Sequence, residues 1–148
     1  MTAPPPQPLA RPGLVPLAND IRLACMRIAR RVRYESDREL PPHQVSVLAR
    51  LEDTPRTNSE LADIERVSAP SMKRTTSCLV DSGYVARADD PKDGRQVILS
   101  LTPEGRKALR RVRRHRDEWM LDRFANLTED ELELLQQASA VLAKVASR

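Results

Sequence analysis

Along most of the chain the apolar positions recur every third or fourth residue. Leu17, Ile21, Ala24, Ile28 and Val32 fall on one stripe of a helix, with Arg22, Arg27, Arg30, Arg31 and Arg33 elsewhere on the cylinder. Pro41 and Pro42 stop any continuation and start a second helix over about residues 43–52, with Val45, Leu48 and Leu51 inward and Pro55 beyond its end. Leu61, Ala62 and Ile64 mark a short third helix, and Met72, Thr76 and Leu79 a fourth. The pattern then changes. Tyr84-Val85-Ala86-Arg87 and Val97-Ile98-Leu99-Ser100-Leu101 flank the turn-rich Asp89-Asp90-Pro91-Lys92-Asp93-Gly94, as two strands flank a hairpin loop. Helical spacing returns with Ala108, Val112, His115, Trp119 and Phe124, and again with Leu132, Leu135, Ala138, Val141, Leu142 and Val145.

Capping residues sharpen these boundaries. Thr57 with Glu60 fits a capping box, in which the hydroxyl caps an early helix N–H and the glutamate returns to the cap's own N–H. Ser68 caps the next helix, whose first turn tolerates Pro70, and Gly83 stands where a left-handed C-cap is needed. Thr102 and Pro103 open the long helix with Glu104 near its positive end, while Thr128 with Glu131 and Leu127 with Leu132 start the last one. The expected fold is mainly α with a small β-hairpin wing: a winged helix-turn-helix between N- and C-terminal dimerisation helices. The apolar stripe of the last helix is broad, and if nothing in the same chain covers it a second copy must. A homodimer follows as the expectation.

Composition changes this picture in three places. Residues 1–16 hold six of the twelve prolines and read as a flexible arm, leaving a single domain over 17–148. Within it, 17–37 and 103–148 would supply the dimerisation helices and 42–102 the DNA-binding lobe. With 25 basic and 21 acidic residues the net charge is +4, which permits nucleic-acid binding without requiring it. Two cysteines far apart and two histidines give neither a disulfide framework nor a metal-ligand spacing, so no metal and no cofactor are expected. Glycine-rich phosphate loops, nucleophile elbows and paired-histidine motifs are missing, and an enzyme is not expected. No apolar run approaches membrane-spanning length, so a cytoplasmic protein is expected.

The outward face of the fourth helix carries Ser71, Lys73, Arg74 and Ser77, short hydroxyls and cations that suit base edges and phosphates in the major groove. At the hairpin tip Arg95 lies two residues after Asp93, close enough for the carboxylate to hold an extended guanidinium, which would fit a narrow minor groove. Seven basic residues between Arg106 and Arg116 read equally as a solvated face or as phosphate contacts.

The run Arg87…Asp90-Pro91…Asp93-Gly94-Arg95…Leu99…Leu101-Thr102…Gly105 resembles the wing signature of the multiple-antibiotic-resistance regulator (MarR) family. Leu40…Gln44…Leu48 and Ser59-Glu60-Leu61-Ala62 extend the likeness upstream, over about residues 18–147. The resemblance implies a dimeric transcription regulator on a pseudo-palindromic, double-stranded operator. It implies DNA contacts at Ala69, Pro70, Ser71, Lys73, Arg74 and Ser77, with Arg87 in the wing and Arg95 in the minor groove supported by Asp93. It further implies a repressor released by a small aromatic or phenolic effector in a cleft lined by Met26, Arg30, Tyr34, His43 and Val47. The plainer reading of Met26 and Val47 is core, and of Arg30 a solvated charge. Cys25, near Arg22 and Arg30, is a redox candidate by the same resemblance, with a small buried hydrophobe as the plainer reading; Cys78 reads as packing. The rivals are a sequence-tolerant architectural DNA-binding protein and a protein-interaction module.

Overall fold

In the computed structural model, which describes residues 13–36 and 39–147, the order is α1 (Leu14–Glu35), α2 (Pro42–Asp53), β1 (Arg56–Thr57), α3 (Asn58–Glu65) and α4 (Ala69–Asp81). Strands β2 (Val85–Asp89) and β3 (Val97–Leu101) follow, then α5 (Pro103–Phe124) and α6 (Glu129–Ala146).

The caps explain where these elements begin and end. Thr57 Oγ1 accepts from the Glu60 N–H at 3.2 Å while Glu60 Oε2 accepts from the Thr57 N–H at 2.7 Å, which completes the capping box of α3. That helix is stopped by Arg66, whose φ of 54° is left-handed without being glycine. The bend brings Ser68 to the start of α4, where its hydroxyl accepts from the Ser71 N–H at 3.4 Å. At the far end Gly83, with φ 76°, lets its own N–H reach the Val80 carbonyl and that of Tyr84 reach the Leu79 carbonyl, both at 2.9 Å. This paired C-cap turns the chain out of the helix and into β2.

The sheet is antiparallel in the order β1-β3-β2, with Val85 opposite Leu101, Arg87 opposite Leu99 and Asp89 opposite Val97. Strand β1 is an addition to the expected hairpin: Arg56 pairs with Leu99 and Thr57 with Ile98. Two residues are too few to show a strand's alternation in a sequence.

The core lies where α2, α3, α4, the sheet and the first half of α5 meet. Val47, Leu48 and Leu51 of α2, Leu61 of α3, Leu79 of α4, Leu99 of β3 and Leu109 and Val112 of α5 are each no more than 2% exposed. Burial of each such side chain stabilises by roughly 1.5–3 kcal/mol. Gly105 lets α5 close on the hairpin: a Cβ there would collide with the Tyr84 carbonyl oxygen and lie 2.6 Å from Leu101 Cδ1.

Helices α1 and α6 contribute nothing to this core; neither has a buried residue. Val15, Leu134, Val141 and Val145 are 81%, 66%, 59% and 69% exposed. Helix α1 touches its own chain chiefly through α5, where Glu35 accepts from Trp119 Nε1 at 3.1 Å and from Arg123 at 3.2 Å. The Arg123 guanidinium also lies 3.2 Å from the centre of the Trp119 ring.

One boundary differs from expectation. Helix α1 starts at Leu14, so residues 14–16, assigned by composition to the arm, form its first turn. Pro16 is tolerated there because the first N–H groups of a helix have no acceptor within it. Residues 1–12 of the expected arm lie outside the described residues, as do 37, 38 and 148. Ile64, expected inward, is 38% exposed.

Candidate nucleic-acid interface

Helix α4 is divided cleanly into two faces. Met72, Thr76 and Leu79 turn inward at 2%, 2% and 0% exposure, which leaves Ala69, Pro70, Ser71, Lys73 and Arg74 exposed and Ser77 half-buried. Thr76 sits in the core because its hydroxyl is satisfied: it donates to Asn58 Oδ1 at 2.7 Å, tying the start of α3 to the middle of α4. On the other side of the α3–α4 turn Glu65 accepts from Ser46 Oγ at 2.6 Å and Arg50 Nε at 2.8 Å. Burial pushes the Glu65 carboxyl up, and the bonds from Arg50 and Ser46 outweigh that, holding it below its ordinary value. The two helices of the reader are thus locked to each other and to α2.

The wing differs in one detail. Asp93 does not grip the Arg95 guanidinium. Its Oδ1 accepts the Arg95 main-chain N–H at 3.1 Å and its Oδ2 accepts from Gln96 Nε2 at 3.4 Å, while Asp90 Oδ1 accepts the Lys92 N–H at 2.8 Å. These carboxylates shape the loop, as aspartates do in turns, by satisfying its backbone. Arg95 is placed by the turn and its side chain is left exposed.

Pairing of charges separates two sets of cations. In α5, Arg111 meets Glu39 at 2.9 Å, Arg113 meets Glu52 through two bonds of 2.9 and 2.6 Å, and Lys107 meets Glu104 at 2.8 Å. Arg114 lies 3.8 Å from Glu118, and Arg106 donates to the Glu52 carbonyl. The hydrogen bond from Arg113 holds the Glu52 carboxyl below its ordinary value. Most of the basic run on α5 therefore braces α5 against its own carboxylates, against Glu39 before α2 and against Glu52 of α2. By contrast, among the described residues Lys73, Arg74, Arg87 and Arg95 make no ion pair, and all four are exposed. This difference was invisible in sequence, where both sets appear as basic residues at helical or turn positions.

The five candidate effector residues are not brought into one cavity. Met26, Arg30 and Tyr34 share a shallow hollow on the outer face of α1 with Ala29 and Arg33. His43 instead lines a cleft of about 570 Å³ between α1, α2 and α5, together with Arg33, Arg50, Leu109, Arg113 and Arg116. Val47, only 1% exposed, borders a second hollow of about 320 Å³ that His43 also lines, beside the α4 residues Ser71, Met72, Arg74 and Thr75, so of the five only His43 and Val47 meet across elements. The separation follows from α1 packing on α5 rather than on α2.

Both cysteines are exposed, Cys25 on α1 and Cys78 on α4, against the expectation that they pack inward. Arg22, expected to favour a Cys25 thiolate, donates to Asn19 Oδ1 at 2.8 Å and approaches Met26 Sδ at 3.5 Å instead. Among the described residues no group of three or more His, Cys, Asp or Glu is arranged to hold a metal, and no helix is long and apolar enough to cross a membrane.

Known proteins resemble this chain in sequence and architecture. The MarR family pattern matches residues 40–97, from two residues before α2 to the first residue of β3. An HTH-type transcriptional regulator of Mycobacterium tuberculosis is 38% identical over 128 residues, covering 85% of this chain and 90% of that protein. A mutant MarR from Escherichia coli superposes with a TM-score of 0.70 at 26% identity, over 90% of this chain and 98% of that one. A mutant of S. aureus MepR, solved bound to an oligodeoxyribonucleotide, has the same fold, with a TM-score of 0.64 at 20% identity over 88% and 96% of the two chains.

Proposed function

The chain belongs to the MarR family and is a transcriptional regulator with a winged-helix DNA-binding fold, and from that premise we propose that it is a homodimeric repressor of a pseudo-palindromic operator. The observation that carries the DNA-reading half is the division of the cations: among the described residues those on α4 and the hairpin make no ion pair, whereas most of those on α5 are engaged. A cation already matched by a carboxylate gains little from a phosphate, whereas a free one releases a counterion on binding. Lys73, Arg74, Ser71 and Ser77 serve the major groove, with Ala69 and Pro70 at its floor, and Arg87 and Arg95 serve the flanking backbone and minor groove. The oligonucleotide bound to the MepR mutant supports this reading of the shared fold.

The dimer is supported by α1 and α6, neither of which has a buried residue among those described. Two-fold symmetry sets the recognition helices about one DNA turn, ~34 Å, apart and so requires an inverted repeat. Release by a small aromatic or phenolic ligand belongs to the same reading. The cleft beside His43 is the best receptacle for it, since it adjoins the α2–α3 latch at Glu65. A ligand that binds better to dimers with wrongly spaced readers weakens operator binding by that same differential affinity.

The test is a salt series of DNA-binding titrations. Replacing Lys73 and Arg74 with glutamine lowers the slope of log affinity against log salt by about one per residue, whereas the same change at Arg111 and Arg113 leaves the slope unchanged. Equal effects at both places would remove the basis for assigning the DNA face. An architectural protein would instead keep its affinity across all duplexes, with no operator preference.

A further inference from the structure

We infer that Glu35, the last residue of α1, is a positioning residue for DNA binding: with Trp119 and Arg123 of α5 it forms the clamp that fixes α1 against the winged lobe and so sets the half-site spacing the protein accepts. The inference rests on the dimeric, operator-binding reading above.

Trp119 is the single buried side chain in residues 13–36 and 113–147, 8% exposed and apart from the core of the lobe. The N–H of a buried indole needs an acceptor. Glu35 supplies it: its Oε2 accepts from Trp119 Nε1 at 3.1 Å and from Arg123 Nη2 at 3.2 Å, while its Oε1 accepts from Arg31 Nε at 2.9 Å. Both bonds that cross between the helices end on one oxygen. Arg123 is itself fixed, because its Nη1 donates to the Trp119 carbonyl at 2.9 Å and its guanidinium lies 3.2 Å from the centre of the indole ring. The bond from Arg31 holds the Glu35 carboxyl below its ordinary value, so at neutral pH a carboxylate that can only accept faces three donors.

Elsewhere α1 has little support from its own chain. Of its 22 residues only Leu23 and Val32 are even half-buried, and its contacts run chiefly to α5. Helix α5, by contrast, is anchored in the lobe by Gly105, Ala108, Leu109 and Val112, all buried. The direction of α1 relative to the recognition helix is therefore passed through one joint, from Glu35 to Trp119 and along α5 into the core that holds α4. At 1.5 Å per residue α1 is about 33 Å long, so a tilt of about 10° at the clamp moves its far end by about 6 Å, roughly two base-pair steps. In a dimer joined through α1 and α6, such a displacement changes the distance between the two readers.

The experiment takes the half-site that the wild-type protein enriches from random DNA and builds a library of inverted repeats with spacers of graded length. Wild type retains one spacing. Glu35→Gln, whose amide turns a donor toward donors, retains the same half-site spread over neighbouring spacings, and its affinity for the wild-type spacing falls about five- to tenfold. Its affinity for a duplex with a single half-site and its dimerisation in sedimentation equilibrium stay unchanged. Arg123→Gln does the same, and the double variant is no broader than either single one, because both remove one clamp. Trp119 is the only tryptophan in the chain, so its emission reports the joint directly and shifts to the red in Glu35→Gln. Should Glu35→Gln melt early, Arg123→Gln decides the matter. A single, unchanged spacing in either folded variant overturns the inference. So does an equal loss on the single half-site, which assigns the clamp to the folding of the lobe, and so does loss of the dimer, which assigns it to the interface. Failure of the wild-type protein to enrich any inverted repeat would instead overturn the dimeric reading on which the clamp's role depends.

Discussion

The winged lobe and the terminal helices are built to opposite specifications. The lobe closes on itself: α2, α3, α4, the sheet and the first half of α5 bury leucines and valines to 2% exposure or less, and polar links at Asn58–Thr76 and Ser46–Glu65–Arg50 set how its helices cross. Helices α1 and α6 bury nothing, and α6 makes only marginal contact with the rest of the chain. Yet α6 has a full capping box and a regular apolar stripe, so its sequence specifies a packed helix. Among the described residues nothing covers that stripe, and in the proposed dimer a second copy does. The contrast teaches that the reading unit is folded by its own sequence, whereas in the dimer proposed above the spacing between two such units is left to an association of copies.

Core truncation should break the contrast most severely. Leu48→Ala, at a fully buried site, is expected to cost about 2–5 kcal/mol in denaturant unfolding, because it leaves a cavity the packed lobe cannot collapse. A charge on the last helix tests the other side: Leu142→Asp should weaken dimerisation by about 2 kcal/mol or more in sedimentation equilibrium, with the secondary structure of the lobe unchanged. An unaltered dimer would place the interface elsewhere. Arg95→Ala should weaken operator binding by about 1–3 kcal/mol while leaving the dimer intact, since the residue is exposed at the hairpin tip and contributes nothing to the core.

The smallest effect concerns the seam between the regions. Glu52 has a lowered pKa in the folded state, chiefly through its hydrogen bonds from Arg113, so its contribution to stability is present above the ordinary glutamate range. It is lost as the pH falls through the lowered folded-state value. Glu52→Gln should therefore flatten the acid limb of stability against pH. At neutral pH it should cost less than about 1 kcal/mol, because both partners are partly exposed, at 50% for Arg113 and 31% for Glu52. A steep acid limb that survives the substitution would assign it to other carboxylates.

What the sequence disclosed and what it concealed divide along physical lines. The capping boxes at Thr57 and Thr128, the first-turn prolines and Gly83 act within a few residues, and each does in the fold what its local chemistry implies. The inward positions Val45, Leu48, Leu51, Met72, Thr76 and Leu79 were equally plain, because helical periodicity needs no partner to be seen. Concealed were features that depend on what lies across space. Glu52 and Arg113 are distant in the chain, so nothing local marks Arg113 as engaged and Lys73 as free. Asp93 and Arg95 suggested a side-chain clamp, but the nearer acceptor need was the turn's own N–H. Pro16 looked like a helix breaker until its place in a first turn made the missing N–H harmless. Cys25 and Cys78 were read as packing, because a cysteine's burial depends on neighbours that spacing does not reveal.

The most direct test of the account is to capture random DNA duplexes on the full-length protein at physiological salt and sequence those retained. Two self-contained readers joined through α1 and α6 predict enrichment of an inverted repeat with half-site centres about 10 bp apart. Retention of DNA with no shared motif, or of a motif without two-fold symmetry, would contradict it.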